Sequence, residues 1–100
     1  MKNLRRDELN SVIQSGKHLI LYFYRKDHAA SAVGFASVQE VDGLIAKNFE
    51  IYCVDIDMEP EIADAFSVTD VPETITVKNK RIHQRAYGTL FSNQILELLK

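Results

Sequence analysis

The chain has one cysteine, Cys53, among its 100 residues. A disulfide or a dithiol centre within it is therefore excluded, because each needs two thiols in reach of one another. Long apolar stretches are missing too. No run comes near the ~20 residues that cross a bilayer. The N-terminal MKNLRRDELNSV carries positive charge but lacks the apolar core of a signal peptide. These absences predict no membrane partner and a cytoplasmic location. Neither sign of charge is in excess: 12 Lys+Arg face 14 Asp+Glu, for a formal net charge of −2. With no long basic run, bulk attraction to nucleic acid or anionic lipid is not expected. Repeats, linkers and low-complexity segments are also lacking, so the expectation is a single domain over residues 1–100.

What is present is an ordinary globular balance, 46% hydrophobic and 26% charged. Leu4, Leu9, Val12 and Ile13 recur at helical spacing around RRDELNSVIQS, with Asp7 as a candidate cap and Gly16 as a stop. His18 to Arg25 is a near-continuous apolar and aromatic run, the pattern of a central strand covered on both faces. The polar break RKDH follows. From Ala29 the period changes: Ala30, Val33, Val38, Val41 and Ile45 fall close to one helical face. Gly34 weakens the early part of that helix, and Gly43, Lys47 and Asn48 loosen its end.

Phe49–Asp57 alternates as a second strand. Pro60 and Glu61 suit the first turn of a short helix over 60–66, packed through Ile62, Ala63 and Phe66. Glu73–Lys78 and Arg81–Ala86 read as a hairpin about Asn79-Lys80, of turn type left open because Lys80 stands where Gly is usual. A last helix over about 91–99 offers Phe91, Ile95, Leu98 and Leu99 on one face. The first β-α-β unit should be parallel and the final pair antiparallel. The fold class expected is α/β, a three-layer α/β/α domain with a central mixed sheet.

These residues, in this order, resemble the thioredoxin family over almost the whole chain, Leu9 to Leu99. Leu21-Tyr22-Phe23-Tyr24 resembles the central strand before the redox motif. Val54-Asp55-Ile56-Asp57 and Glu59-Pro60-Glu61-Ile62-Ala63 resemble the next strand and its acidic helix start. Val71-Pro72 matches the segment ending in a cis-proline, Lys78-Asn79 the hairpin turn, and Tyr87-Gly88 the glycine before the last helix. The resemblance implies the thioredoxin-like fold. It also makes the departures informative. The aromatic-x-x-aromatic-Cys-Gly-Pro-Cys segment of the family corresponds to Tyr24–Ser31. His28 stands at the attacking cysteine, Ser31 at the resolving one, Tyr22 at the buried acid, and Ala36 near the helix proline. Cys53 lies on another strand and cannot substitute.

The degenerate positions His28 and Ser31 sit where a helix start offers free N–H groups. Ser31 can hydrogen-bond His28 or cap the turn. A hydrolytic reading with Asp27 nearby would still need an orienter and an oxyanion site. In the family the Val71-Pro72 backbone pairs with an extended peptide beside the active helix. This implies a protein or peptide partner, with Tyr24, Ala29, Ala30 and Val71 as an apolar floor and Glu73 adding negative charge. The candidate surface is therefore Tyr24, Asp27, His28, Ala29, Ala30, Val71, Pro72 and Glu73.

The bland reading of the same loop is a solvated turn left after the redox residues were lost. The other readings are a non-redox enzyme using the His28/Ser31 loop and a structural accessory subunit. His18, His28 and His83 lack compact ligand spacing, so no metal is expected. The acidic stretch Asp55, Asp57, Glu59, Glu61 and Asp64 is read as solvated, with Asp55 and Asp57 on one strand face. Lys78, Lys80, Arg81 and Arg85 around the hairpin are read as solubilising charge, not as a nucleic-acid site. Cys53 is expected to be structural, since a reactive thiol needs a neighbouring cation or helix end. Self-association through Tyr52 or Phe35 is left open, and no cofactor is implied. With no dithiol, insulin disulfide reduction should run at the uncatalysed rate. Turnover at a thioredoxin-like rate in a turbidity assay would refute this.

Overall fold

The computed structural model describes residues 1–45 and 49–100. The expected loosening at Lys47 and Asn48 lies outside them. The elements run β1 (Lys2–Asn3), α1 (Arg6–Gln14), β2 (His18–Tyr24), α2 (Ala29–Asp42), β3 (Phe49–Asp55), α3 (Pro60–Ala65), β4 (Glu73–Lys78), β5 (Arg81–Tyr87) and α4 (Ser92–Glu97). The sheet order is β1-β3-β2-β4-β5. β3 pairs in parallel with β1 and β2, and the pairings of β4 with β2 and β5 are antiparallel. This is the expected α/β/α arrangement with a mixed sheet.

β2 is central because its side chains are apolar on both faces. Leu19, Leu21 and Phe23 join Val54, Ile62, Phe66, Ile75 and Val77 in one core. Ile20 and Tyr22 join Val38, Val41, Ile51 and Ile95 in the other. Alternation along the strand thus supplies both layers at once. Thr74 and Thr76 alternate with Ile75 and Val77 and so take the second face of β4. Thr76 is buried yet satisfied: its hydroxyl donates to the Leu98 carbonyl at 3.0 Å and accepts from the Gln84 N–H at 3.1 Å. Lys78 donates to the Leu99 carbonyl. Both bonds answer free carbonyls at the end of α4, so this short helix is fastened to the sheet.

Several boundaries differ from the sequence reading. β1 was not expected: its two residues are exposed and carry no apolar pattern, and pairing with Tyr52 and Cys53 alone defines it. Leu4 precedes α1 instead of lying on it; it is buried, and its N–H donates to the Cys53 carbonyl at 2.8 Å. Asp7 does not cap α1. Arg5 is the cap residue, and Glu8 accepts from its N–H at 3.2 Å, leaving Asp7 to pair with the Arg5 guanidinium.

β3 stops at Asp55, whose carboxylate accepts from the N–H groups of Asp57 and Met58. Asp57 is therefore off the strand and pairs with Arg25 at 3.1 Å, so Asp55 and Asp57 do not share a strand face. Val33 and Phe91 are exposed, not packed. Val33 lies on the outer side of α2, and Phe91 is the residue that enters α4.

The hairpin turn has φ +53° at Asn79 and +66° at Lys80. Two positive angles make it type I′, whose twist suits a right-twisted ribbon. Between Thr76 and Val77 the β5 partner jumps from Gln84 to Ile82, so His83 is an extra, bulged residue. Asn tolerates a left-handed angle, whereas Lys pays a steric penalty there. Lys80→Gly should therefore stabilise the fold by about 0.5–1 kcal/mol, read as a higher urea midpoint with an unchanged slope. A lower midpoint would contradict the turn assignment.

Candidate functional site

The β2–α2 junction is built from hydrogen bonds that close on one another. Asp27 takes φ +58° and turns the chain out of β2. His28 follows in extended backbone and caps α2, its Nδ1 accepting from the Ser31 N–H at 3.2 Å. The Ser31 hydroxyl lies 2.8 Å from the same Nδ1 and accepts from the Arg25 N–H at 3.2 Å. Because Nδ1 is the acceptor from the backbone, the ring is the neutral tautomer with its hydrogen on Nε2. The Ser31 hydroxyl then donates to Nδ1.

Tyr22 lies beneath this turn. Its buried hydroxyl donates to the Ser31 carbonyl at 2.6 Å. Burial is the main cause that pushes the Tyr22 phenol well above its ordinary range, so it remains a donor. Gly34 makes the contact sterically feasible. A Cβ there would stand 2.4 Å from the Tyr22 oxygen. The glycine read from sequence as a weak point of the helix is therefore what admits the tyrosine.

This geometry does not present a nucleophile. Ser31 is 2% exposed, and its hydroxyl is already engaged by His28 and Arg25. Asp27 is exposed and makes no hydrogen bond to His28 among the described residues, so the three do not form a relay. Cys53, opposite Tyr22 in the β2–β3 register, is 4% exposed. Burial, the largest cause, pushes its thiol up to about 11, which keeps it protonated at neutral pH. One thiol, protonated and buried, cannot perform dithiol–disulfide exchange.

The candidate residues separate into two groups. Tyr24, Asp27, His28 and Ala29 line a cleft of about 630 Å³ that also reaches Phe35 and Cys53. Ala30, Val71, Pro72 and Glu73 do not line it. Tyr24 belongs to the α2 side of the sheet, its ring 6.3 Å from that of Tyr22 and 6.5 Å from that of Phe35. Val71 and Pro72 are buried, with a cis bond between them.

Glu73 does not lend free negative charge to the surface: it is buried against Arg85, with Nε 2.5 Å from its carboxylate. Two hydrogen bonds join the surrounding loops. The Gly88 N–H donates to the Pro72 carbonyl at 2.7 Å, and the Thr89 hydroxyl donates to the Ala30 carbonyl at 3.1 Å. Sequence reasoning did not find Asn3, Phe35 or Cys53 as neighbours of the junction; the register placing Cys53 beside Tyr22 is a property of the sheet.

Among the described residues no three His, Cys, Asp or Glu side chains gather as metal ligands. Among the described residues no helix is long and apolar enough to cross a membrane.

Comparison with known proteins agrees with this architecture. No protein-family model matches the chain. Thioredoxin 2 of Plasmodium falciparum is 27% identical over 92 residues, which span 92% of this chain and 59% of that protein. Thioredoxin 2 of Plasmodium berghei is 27% identical over 94 residues, 94% of this chain and 60% of that one. The chain thus spans about three fifths of the curated relatives it matches.

Among solved structures, Fasciola hepatica thioredoxin superposes with a TM-score of 0.85 at 20% identity, covering 96% of this chain and 92% of that one. A chloroplastic thioredoxin z, described for its type-specific target recognition, gives 0.86 at 17% identity over 99% and 90%. The chain is distantly similar in sequence to these thioredoxins, has the thioredoxin-like fold, and has a single cysteine where dithiol chemistry needs two.

The Tyr22–Gly34 contact makes a direct prediction. Gly34→Ala should cost about 1–3 kcal/mol through overpacking, and Tyr22→Phe about 1 kcal/mol through the lost bond. Removing the oxygen makes room for the methyl group, so the double variant should be less destabilised than the sum, by about 0.5–3 kcal/mol. Urea denaturation of the four proteins measures the cycle, and strict additivity would refute the contact.

Proposed function

We propose that the chain is a redox-inactive thioredoxin-like module that binds an extended segment of a partner protein or peptide. The observation that carries this reading is the rigid rim around the degenerate motif. The loops at 28–30, 71–73 and 87–89 are tied together by the Pro72–Gly88 and Ala30–Thr89 hydrogen bonds. Tyr87 and Phe91, 63% and 75% exposed, stand on either side of the Gly88–Leu90 segment. Exposed aromatic side chains on a rigid rim provide binding area at low entropic cost. The β4 ladder begins only at Glu73, so the backbone ahead of it at 70–71 is the edge to which a partner's main chain can add.

Chemistry is not asked of this surface. His28 and Ser31 satisfy one another, which leaves Ala29, Ala30 and the aromatic rim as the contacts for a partner. The reading places the protein in the cytoplasm, where a lone thiol such as Cys53 stays reduced.

Selection of random peptides displayed on phage against the purified chain tests the proposal. Enriched peptides, added to isotope-labelled protein, should shift amide resonances at 28–30, 70–73 and 87–91. Replacing Tyr87 and Phe91 together by Ala should weaken binding about tenfold or more. Absence of enrichment, or shifts confined to another face, would overturn the reading.

A further inference from the structure

We infer that the cleft beside the junction binds a small, flat, uncharged aromatic molecule with one donor–acceptor group, the chemistry of a phenol or an indole. The cleft lies on the α2 side of β2, and Val71 and Pro72 take no part in it. The inference therefore does not rest on the partner-binding reading, although His28 and Ala29 border both surfaces.

Size is the first argument. At about 630 Å³ the cleft falls within the range of small-molecule sites. The walls are the second. The rings of Tyr24 and Phe35, with centroids 6.5 Å apart and planes inclined at 32°, form one side, and Ala29 and Ala32 line the helical side. Such a pair presents aromatic faces and edges suited to a further ring in offset or edge-on contact.

Polar groups give the third argument. Tyr24, Asn3 and Cys53 all line the cleft, and among the described residues no side-chain hydrogen bond engages the Tyr24 hydroxyl, the Asn3 amide or the Cys53 thiol. The thiol is 4% exposed. Its polarizable sulfur is suited to contact with an aromatic ring. Tyr24 and Asn3 both donate and accept, so together they match a hydroxyl or ring N–H.

Charge selects against ions. At the rim Arg25 is paired with Asp57, and the His28 Nδ1 accepts from the Ser31 N–H. The remaining charged residues of the lining, Lys26 and Asp27, are of opposite sign, so the rim sums to no net charge that would favour a carboxylate, a phosphate or an amine.

The probe is 2-naphthol, titrated into isotope-labelled protein. Saturable shifts are expected at the amides of Ser31, Ala32 and Cys53, with intermolecular Overhauser effects to the Tyr24 and Phe35 rings. Ala32 is exposed but lines the cleft, so Ala32→Trp should fill it and weaken binding at least tenfold. Val33→Trp, on the adjacent outward position, should bind as the parent does. Circular dichroism melts establish that each variant is folded. Should Ala32→Trp not fold, the Overhauser contacts in the parent protein decide. Lack of saturation in the parent, contacts to other residues, or equal binding by a folded Ala32→Trp would overturn the inference.

Discussion

A single buried hydroxyl organises the centre of this protein. Tyr22 stands in the middle of a strand whose neighbours on both faces are apolar, where an unpaired phenol would cost several kcal/mol. It is paired, through a short bond to the Ser31 carbonyl in the first turn of α2. That bond fixes the height and rotation of the helix relative to the sheet. It also requires a position without a side chain one turn away, which Gly34 supplies. With the turn fixed, Ser31 can engage the Arg25 N–H and the His28 ring together. The local chemistry follows: the Ser31 hydroxyl and the His28 Nδ1 are both used within the turn.

The large pattern of the fold was legible because it rests on periodicity. The doubly apolar β2, the change of period after Ala29 and the Asn79-Lys80 hairpin each translate directly into an element. What escaped was set by pairing partners far away in sequence. β1 is two exposed residues with no pattern of their own, and it exists because β3 has a free edge beside it. Leu4 has helical spacing to Leu9, yet it fills the core from just outside the helix. Val33 and Phe91 are apolar residues on the wrong side of their elements, which a count of hydrophobic positions cannot detect. Gly34 is the instructive case: its propensity cost was visible, while its steric purpose depended on Tyr22 being across from it.

The site was legible to a similar depth. His28 and Ser31 meet because three residues across a helix start always lie close, so sequence spacing sufficed. The candidate surface was one list but occupies two places. Strand parity explains the division: Tyr24 shares the face of Ile20 and Tyr22, toward α2, while Val71 packs in the opposite core with Leu21 and Phe23. Glu73 was read as free charge because Arg85 is twelve residues away; antiparallel pairing of β4 with β5 brings them together.

The two surfaces share the first turn of α2, since Ala29 lines the cleft while Ala30 is bonded to the rim through Thr89. A ligand on one side can influence the other only by moving that turn. Tyr22 holds it from beneath through a buried hydrogen bond and Thr89 from the side through an exposed one. Losing the buried bond would cost about 1–3 kcal/mol, as much as most coupling between sites amounts to. The same bonds that make the turn chemically quiet therefore make it a stiff partition. A stiff partition would let a partner on the rim and a ligand in the cleft bind together, each with nearly its own affinity.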